Sequence, residues 1–358
     1  MSTFYFIFCA VAFLMQLTIG AWLLRCYPGI GAKGPLLVCF LCTAVMLAGF
    51  TFTRTHQTGL FWSALYYFSY IYFGLVFLAF CFCVAFAVLS KILTWCHVPT
   101  GWMGLATLLT LAVVFVCAFV GGFTAPKLKH IAVKIPGAPR MKLALLADTH
   151  LGMGVSLSRF DKVLQKIEAE KPDALLVLGD IFEYGPNRDM YAERLAQVKT
   201  PLGSYGVLGN HEYYVGYGDS KEFFEKSSVK LLENATATMP NGVQIAGLKD
   251  IKTAGVRVQD VANVLAPLDK NKPTILLSHT PLYAEEAAAN GANLMLSGHT
   301  HNGQLWPFTY LVKMQFSRIY GMYDVDGMPF YITSGVFYWG IPLRFLAPAE
   351  IVILEVNA

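Results

Sequence analysis

Charge is almost absent from the first third of this chain. Across residues 1–126 the only Lys, Arg, Asp or Glu residues are Arg25, Lys33, Arg54 and Lys91, and the first acidic residue of all 358 is Asp148. A bilayer-spanning helix needs roughly 20 apolar residues in a row, because its backbone groups must be satisfied within the segment. The four charges separate four such stretches, which predict helices near 3–24, 35–53, 62–90 and 102–123. Four apolar runs with no soluble sequence between them argue against buried core helices. Phe, Tyr and Trp crowd 61–73, which suits an interfacial belt or packing between helices. The N-terminus has no basic segment before its apolar run, so it does not read as a cleavable signal.

From residue 127 onward the chemistry changes. Lys and Arg number 23 there, as do Asp and Glu, so the net +4 and much of the mean hydropathy of +0.50 belong to the N-terminal region. A formally neutral domain with no cluster of four or more basic residues lacks the footprint for nucleic acid, and no such partner is expected. All eight cysteines lie between Cys9 and Cys117, which leaves the remainder without a disulfide framework or a thiolate metal site. The spans carry no acidic residue, so transport is not suggested. The organisation expected is a transmembrane region over 1–126, a linker over 127–141 with an edge strand at 131–135, and a C-terminal domain over 142–358. With four spans, Arg54, Lys127, Lys129, Lys134, Arg140 and Lys142 share one side, against Arg25, Lys33 and Lys91 on the other. That bias predicts a multi-pass protein of the cell membrane with its C-terminal domain cytoplasmic, and a lipid bilayer as its first partner.

The C-terminal part repeats one rhythm: a short apolar run, then a residue able to bind metal. Residues 143–147 lead into Asp148-Thr149-His150, 174–178 into Gly179-Asp180, and 205–208 into Gly209-Asn210-His211-Glu212. Residues 274–277 lead into Ser278-His279, and 294–296 into Ser297-Gly298-His299-Thr300-His301. Apolar runs of four or five bounded by turn residues read as buried strands. Helical spacing alternates with them at Phe160, Val163, Leu164 and Ile167, where Ser158 and Asp161 resemble a capping box and Pro172 closes the helix. Val258, Val261 and Leu265 predict a second helix, and 284–289 before Asn290-Gly291 a third. This is α/β sequence, with ligand-capable residues at the carboxyl ends of strands, where open α/β sheets bind ligands. One histidine so placed is more often structural; five of the six in this part, beside Asp148, Asp180 and Asn210, point to a metal centre.

Taken in order, Asp148-x-His150, Gly179-Asp180, Gly209-Asn210-His211-Glu212, His279 and Gly298-His299-Thr300-His301 resemble the five signature blocks of calcineurin-like metallophosphoesterases. The likeness covers roughly 142–356 and is nearest to bacterial membrane-associated members with a GHTHGGQ block, here Gly298 to Gln304 with Asn302 in place of a glycine. The resemblance implies an αββα fold, a two-sheet β-sandwich flanked by helices, holding two divalent ions. Asp148, His150, Asp180 and His301 would hold the first, and Asp180, Asn210, His279 and His299 the second, with Asp180 bridging. Carboxylate, imidazole and amide oxygen suit Mn, Fe or Zn. The implied reaction is hydrolysis of a phosphomonoester, phosphodiester or pyrophosphate by metal-activated hydroxide. His211 would stabilise or protonate the leaving oxygen, a role suited to a group that titrates near neutrality; Glu212 reads equally as structural.

Around these blocks, Tyr184, Tyr213, Tyr214 and Tyr217 either line a substrate site or pack within loops. Arg344 resembles a Pro-x-Arg position near the site in related members, able to fork onto a phosphate or to brace the last strand. The apolar segments 305–316 and 336–341 either dock on a bilayer or acylated substrate, or form the sheet core. A phosphorylated, lipid-linked substrate such as UDP-diacylglucosamine is the leading expectation. A tethered phosphodiesterase acting on a soluble nucleotide or ester, and an inactive membrane scaffold, are the alternatives. Every expected ligand position is filled, which disfavours the last.

Overall fold

The computed structural model describes residues 2–52 and 59–358, with side chains from Phe6 onward; Arg54, used above for orientation, lies outside the described residues. It divides into two compact units.

The first unit contains α1 (Ser2–Cys26), α2 (Lys33–Phe52), α3 (Leu60–Trp95) and α4 (Met103–Phe123), together with residues 305–307 and 340–346. All four helices are long and apolar enough to cross a membrane. At 36 residues α3 outruns its expected end at 90, spanning about 54 Å at 1.5 Å per residue. Lys91 ends the uncharged run but does not end the helix, since lysine is a good helix former. Several polar side chains within the bundle find partners: Gln16 Nε2 donates to Thr43 Oγ1 at 2.8 Å, Tyr72 Oη to Gln16 Oε1 at 2.7 Å, and Trp22 Nε1 to Thr107 Oγ1 at 3.0 Å. Such bonds satisfy groups that hydrocarbon cannot. The aromatic crowd splits. Phe73 packs on Phe8 with ring centroids 4.1 Å apart and Tyr70 on Phe50 at 4.8 Å, whereas Phe61 faces outward. Gly121 and Gly122 admit the backbone of 342–344, and the Arg344 N–H donates to Ala118 O at 3.0 Å.

The second unit holds two six-stranded sheets. In chain order its elements are β1 (Lys127–Val133), β2 (Met141–Leu146), α5 (Leu157–Ala169), β3 (Ala174–Val177), α6 (Arg188–Gln197), β4 (Ser204–Gly206), α7 (Asn210–Val215), α8 (Tyr217–Lys226) and β5 (Lys230–Leu231). There follow β6 (Ala235–Thr238), β7 (Gln244–Gly247), α9 (Val258–Leu265), β8 (Thr274–Leu277), α10 (Ala284–Ala289), β9 (Leu294–Ser297), α11 (Phe308–Gln315), β10 (Gly321–Val325), β11 (Met328–Ile332) and β12 (Glu350–Val356). One sheet runs β1-β12-β2-β3-β4-β5 and the other β10-β11-β9-β8-β7-β6. In the first, β2 to β5 are parallel and β12 is antiparallel to β2; in the second, β7, β8, β9 and β11 are parallel, flanked by antiparallel β6 and β10.

Side-chain alternation explains why the strands read as unbroken apolar runs. Leu143, Leu145, Ala174 and Leu176 of one sheet meet Ile275, Leu277, Leu294 and Leu296 of the other in the central core. Their neighbours Ala144, Leu146, Leu175 and Val177 face α5, α6 and α8, while Leu276 and Met295 face α9 and α10. Both faces of each central strand are buried, so no position is left for a polar alternation. The β-sandwich flanked by helices is therefore present. Two local readings change. The edge strand begins at Lys127, parallel to β12, rather than at 131. The cap of α5 is Ser156, whose side chain accepts from the Arg159 N–H, while Ser158 sits inside the first turn.

Candidate metal centre

Each block of ligand-capable residues follows a strand and turns sharply out of it. Asp148, His150, Asp180, His299 and His301 all adopt left-handed backbone, with φ of 52°, 41°, 52°, 75° and 48°. Such φ values are strained for side chains of this kind and persist where the surroundings hold them. Here Asp148 N–H donates to Gly179 O at 3.0 Å and His150 N–H to Asp180 O at 3.1 Å, locking two neighbouring turns together. The glycines have a separate task. A Cβ at Gly209 would overlap Asp180 Oδ1, and one at Gly298 would overlap Asp148 Oδ2, so these positions must be bare for the carboxylates to reach their places.

Two clusters of donors result, and a third overlaps the first. Asp148, His150 and His301 offer ligand atoms within 4.8 Å of one another, as do Asp180, His279 and His299, and so do His150, Glu183 and His211. The imidazoles meet nitrogen to nitrogen: His150 Nε2 is 3.0 Å from His301 Nε2, and His299 Nδ1 is 3.1 Å from His279 Nε2. Asp180 Oδ2 stands 3.1 Å from His279 Nε2 and 3.8 Å from His150 Nε2, within reach of both clusters. The outer nitrogens are engaged elsewhere. His279 Nδ1 contacts Leu178 O at 2.7 Å and His150 Nδ1 contacts Glu183 Oε1 at 2.8 Å, which turns the other ring nitrogen of each toward the cluster. Asn210 Oδ1 is buried with no hydrogen-bond partner. A buried amide oxygen left so costs stability, and a cation would satisfy it. The donor set therefore fits two oxygen- and nitrogen-liganded divalent ions, with no thiolate present.

The electrostatics agree with a site short of positive charge. Burial pushes the Asp148 carboxyl up to about 6, opposed by His279. Burial also raises Asp180, yet His279 and His211 outweigh it and hold that carboxyl well below its usual range. Burial would lower His279, but the Asp180 carboxylate lifts it to about 10. His299, desolvated and facing His279, falls to about 3. Buried carboxylates here draw charge from imidazoles, as they would from metal ions.

His211 is the second residue of α7, its backbone N–H donating to Asp180 Oδ1 at 2.9 Å. Its Nδ1 lies 2.5 Å from Glu183 Oε1, and although burial opposes charge, Glu183 and Asp180 raise the imidazole to about 9. Glu183 was absent from the expected site. It is the one charged residue in 181–185, three positions beyond Asp180 at the end of a buried run, and that is the signal that could have marked it. Burial raises its carboxyl, but His211 and His150 bring it down to about 2. Glu212 is structural: its carboxylate accepts the N–H groups of Asp180, Ile181 and Gly209 at 2.9, 2.6 and 2.6 Å.

The outer residues divide. Tyr214 is exposed, with its ring 5.3 Å from that of His211. Tyr213 instead stacks on Tyr217 and packs against the helical core, its hydroxyl buried. Tyr184 donates to Tyr214 O at 2.5 Å. Arg344 belongs to the first unit and is 2% exposed. Among the apolar segments, Val336 and Phe337 are core, whereas no residue of α11 is buried.

Comparison with known proteins places this architecture in a family. The calcineurin-like phosphoesterase family matches residues 141–303. An uncharacterized metallophosphoesterase of Campylobacter jejuni, Cj0846, is 34% identical over 259 residues, covering 70% of this chain and 69% of its own. An uncharacterized metallophosphoesterase of Aquifex aeolicus is 36% identical, covering 63% and 88%. A Danio rerio transmembrane protein with a metallophosphoesterase domain is 32% identical over 69% of this chain, but the match spans only 61% of that protein. Among solved structures, the calcineurin-like phosphoesterase YfkN from Bacillus subtilis aligns at 16% identity with a TM-score of 0.38, over 56% of this chain and 83% of that one. The chain belongs to the calcineurin-like metallophosphoesterases. It is a membrane-associated member, with four apolar helices ahead of its catalytic domain.

Proposed function

We propose that this protein is a multi-pass membrane phosphoesterase that hydrolyses a phosphoester or pyrophosphate bond in a lipid-linked substrate such as UDP-diacylglucosamine. The observation that carries the chemistry is the gathering of Asp148, His150 and His301 in one cluster and of Asp180, His279 and His299 in another, together with a buried Asn210 oxygen that has no hydrogen-bond partner among the described residues. Divalent ions held there, in the division given above with Asp180 shared, would supply positive charge against the phosphoryl oxygens and lower the pKa of water toward ~7. His211, kept cationic by Glu183, hands a proton to the departing oxygen. Glu183 pairs electrostatically with that imidazole and holds His150 Nδ1. A cytoplasmic catalytic domain is retained as the orientation.

The lipid part of the reading is supported by α11. This helix presents Phe308, Tyr310, Leu311 and Met314 to the outside, with Leu311 55% and Met314 84% exposed. An apolar face of that kind, in a chain that also carries membrane helices, suits acyl chains better than water. The test is UMP release from UDP-diacylglucosamine by the detergent-purified protein in Mn²⁺, with Asp180→Asn as control. Release abolished in the control supports the reading. Cleavage of bis-p-nitrophenyl phosphate without any UMP release keeps the two-metal chemistry and discards this lipid; inactivity on both substrates overturns the enzyme.

A further inference from the structure

Trp339 stands out among the exposed side chains of the catalytic unit. It is 52% exposed, yet its backbone is held at both ends by one side chain: Gln304 Oε1 accepts the Trp339 N–H at 2.8 Å and Gln304 Nε2 donates to Trp339 O at 3.1 Å. Gln304 is itself buried and closes the turn that carries His301, with φ of 53°. The Trp339 ring meets His211 edge to face, centroids 5.8 Å apart and planes at 69°. Tyr214, 58% exposed, meets the same imidazole at 5.3 Å and 70°. A large aromatic ring left in water forgoes its burial, and one whose backbone is pinned loses little entropy when a ligand covers it.

We propose that Trp339 and Tyr214 form a subsite that stacks the nucleobase of a nucleotide bound at the metal centre, and that Gln304 is the residue positioning Trp339 for it. The inference deepens the function proposed above by naming the part of the substrate that lies beside His211. The chemistry selects a planar ring over an aliphatic chain. Two π faces beside a phosphate site recognise any base without hydrogen-bond readout, and no Asn, Gln or Arg is needed to specify which. The last two residues of the Gly298–Gln304 block thus acquire distinct tasks: Gly303 lies under Thr309 at the start of α11, and Gln304 reaches across to Trp339.

The test uses the full-length, detergent-purified protein in Mn²⁺ and measures binding of UMP, ribose 5-phosphate and butyl phosphate by equilibrium dialysis. UMP is expected to bind about tenfold more tightly than ribose 5-phosphate, a typical gain for stacking one base. Trp339→Ala should remove that difference and leave ribose 5-phosphate unchanged, Trp339→Phe should restore most of it, and Trp339→Leu should not. Gln304→Ala should weaken UMP alone, and the double variant Gln304→Ala/Trp339→Ala should add nothing further to Trp339→Ala. Equal binding of UMP and ribose 5-phosphate, or a base preference that survives Trp339→Ala, overturns the subsite. Tighter binding of butyl phosphate than UMP overturns it in favour of an acyl site. Failure of UDP-diacylglucosamine hydrolysis with the base preference intact would instead remove the lipid and leave the subsite standing.

Discussion

Glu183 Oε1 lies 2.8 Å from His150 Nδ1 and 2.5 Å from His211 Nδ1, so a single carboxylate governs two imidazoles. It keeps His211 protonated to about 9 against the effect of burial. The acid form is lost as pH rises through that value. Removing that negative charge leaves Asp180 as the main group opposing burial and lowers the imidazole's pKa, so Glu183→Gln should move the alkaline limb of kcat/KM to lower pH by about one unit. A pH–rate profile with bis-p-nitrophenyl phosphate reads this directly; an unmoved limb would show that His211 is not the group titrating. Glu212 makes a different prediction. Its carboxylate takes three buried N–H groups, and an amide in its place would turn a donor toward them. Glu212→Gln should cost about 2–3 kcal/mol, seen as a lower unfolding temperature of the purified protein.

At the scale of elements, α5 and α11 show opposite uses of an amphipathic sequence. The apolar stripe of α5 is covered by the first sheet, and its start is set by Ser156. Ser156→Ala should lose about 1 kcal/mol and Ser158→Ala close to nothing, which denaturant titration distinguishes. In α11, by contrast, Leu311 and Met314 stand exposed. Leu311→Ser/Met314→Ser should change stability by no more than about 0.5 kcal/mol, as expected of exposed sites. The same variant should cleave bis-p-nitrophenyl phosphate normally and a lipid-linked pyrophosphate several-fold more slowly. Equal rates on both substrates would remove α11 from the lipid-binding account.

For the whole molecule, the candidate metal centre joins the two sheets. Asp148 follows β2 and Asp180 follows β3 of one sheet, whereas His279 follows β8 and His299 follows β9 of the other. Ions held by all four would therefore crosslink the sandwich, and binding to the folded state alone stabilises it by mass action. Chelation should lower the unfolding temperature, Mn²⁺ should restore it, and Asp180→Asn should blunt the restoration. A melting temperature indifferent to chelator would mean that the centre holds no ion tightly.

The order of elements and the chemistry of the site were legible in the chain because both are written locally. Uncharged runs mark bilayer-length helices, four-residue apolar runs mark strands buried on both faces, and the residues that follow each strand are the candidate ligands. Glu183, Glu212 and Gln304 were not legible in the same way, since their roles lie in partners far along the chain: Glu212 accepts from Asp180 and Gln304 from Trp339. Side-chain hydrogen bonds leave no periodic trace in sequence. Likewise, the apolar composition of 305–316 and 336–341 is the same whether a residue ends in a core or in the open. Burial of Phe337 and exposure of Met314 were decided only by packing, because hydrophobicity states what a side chain gains from cover and the tertiary fold determines whether cover is there.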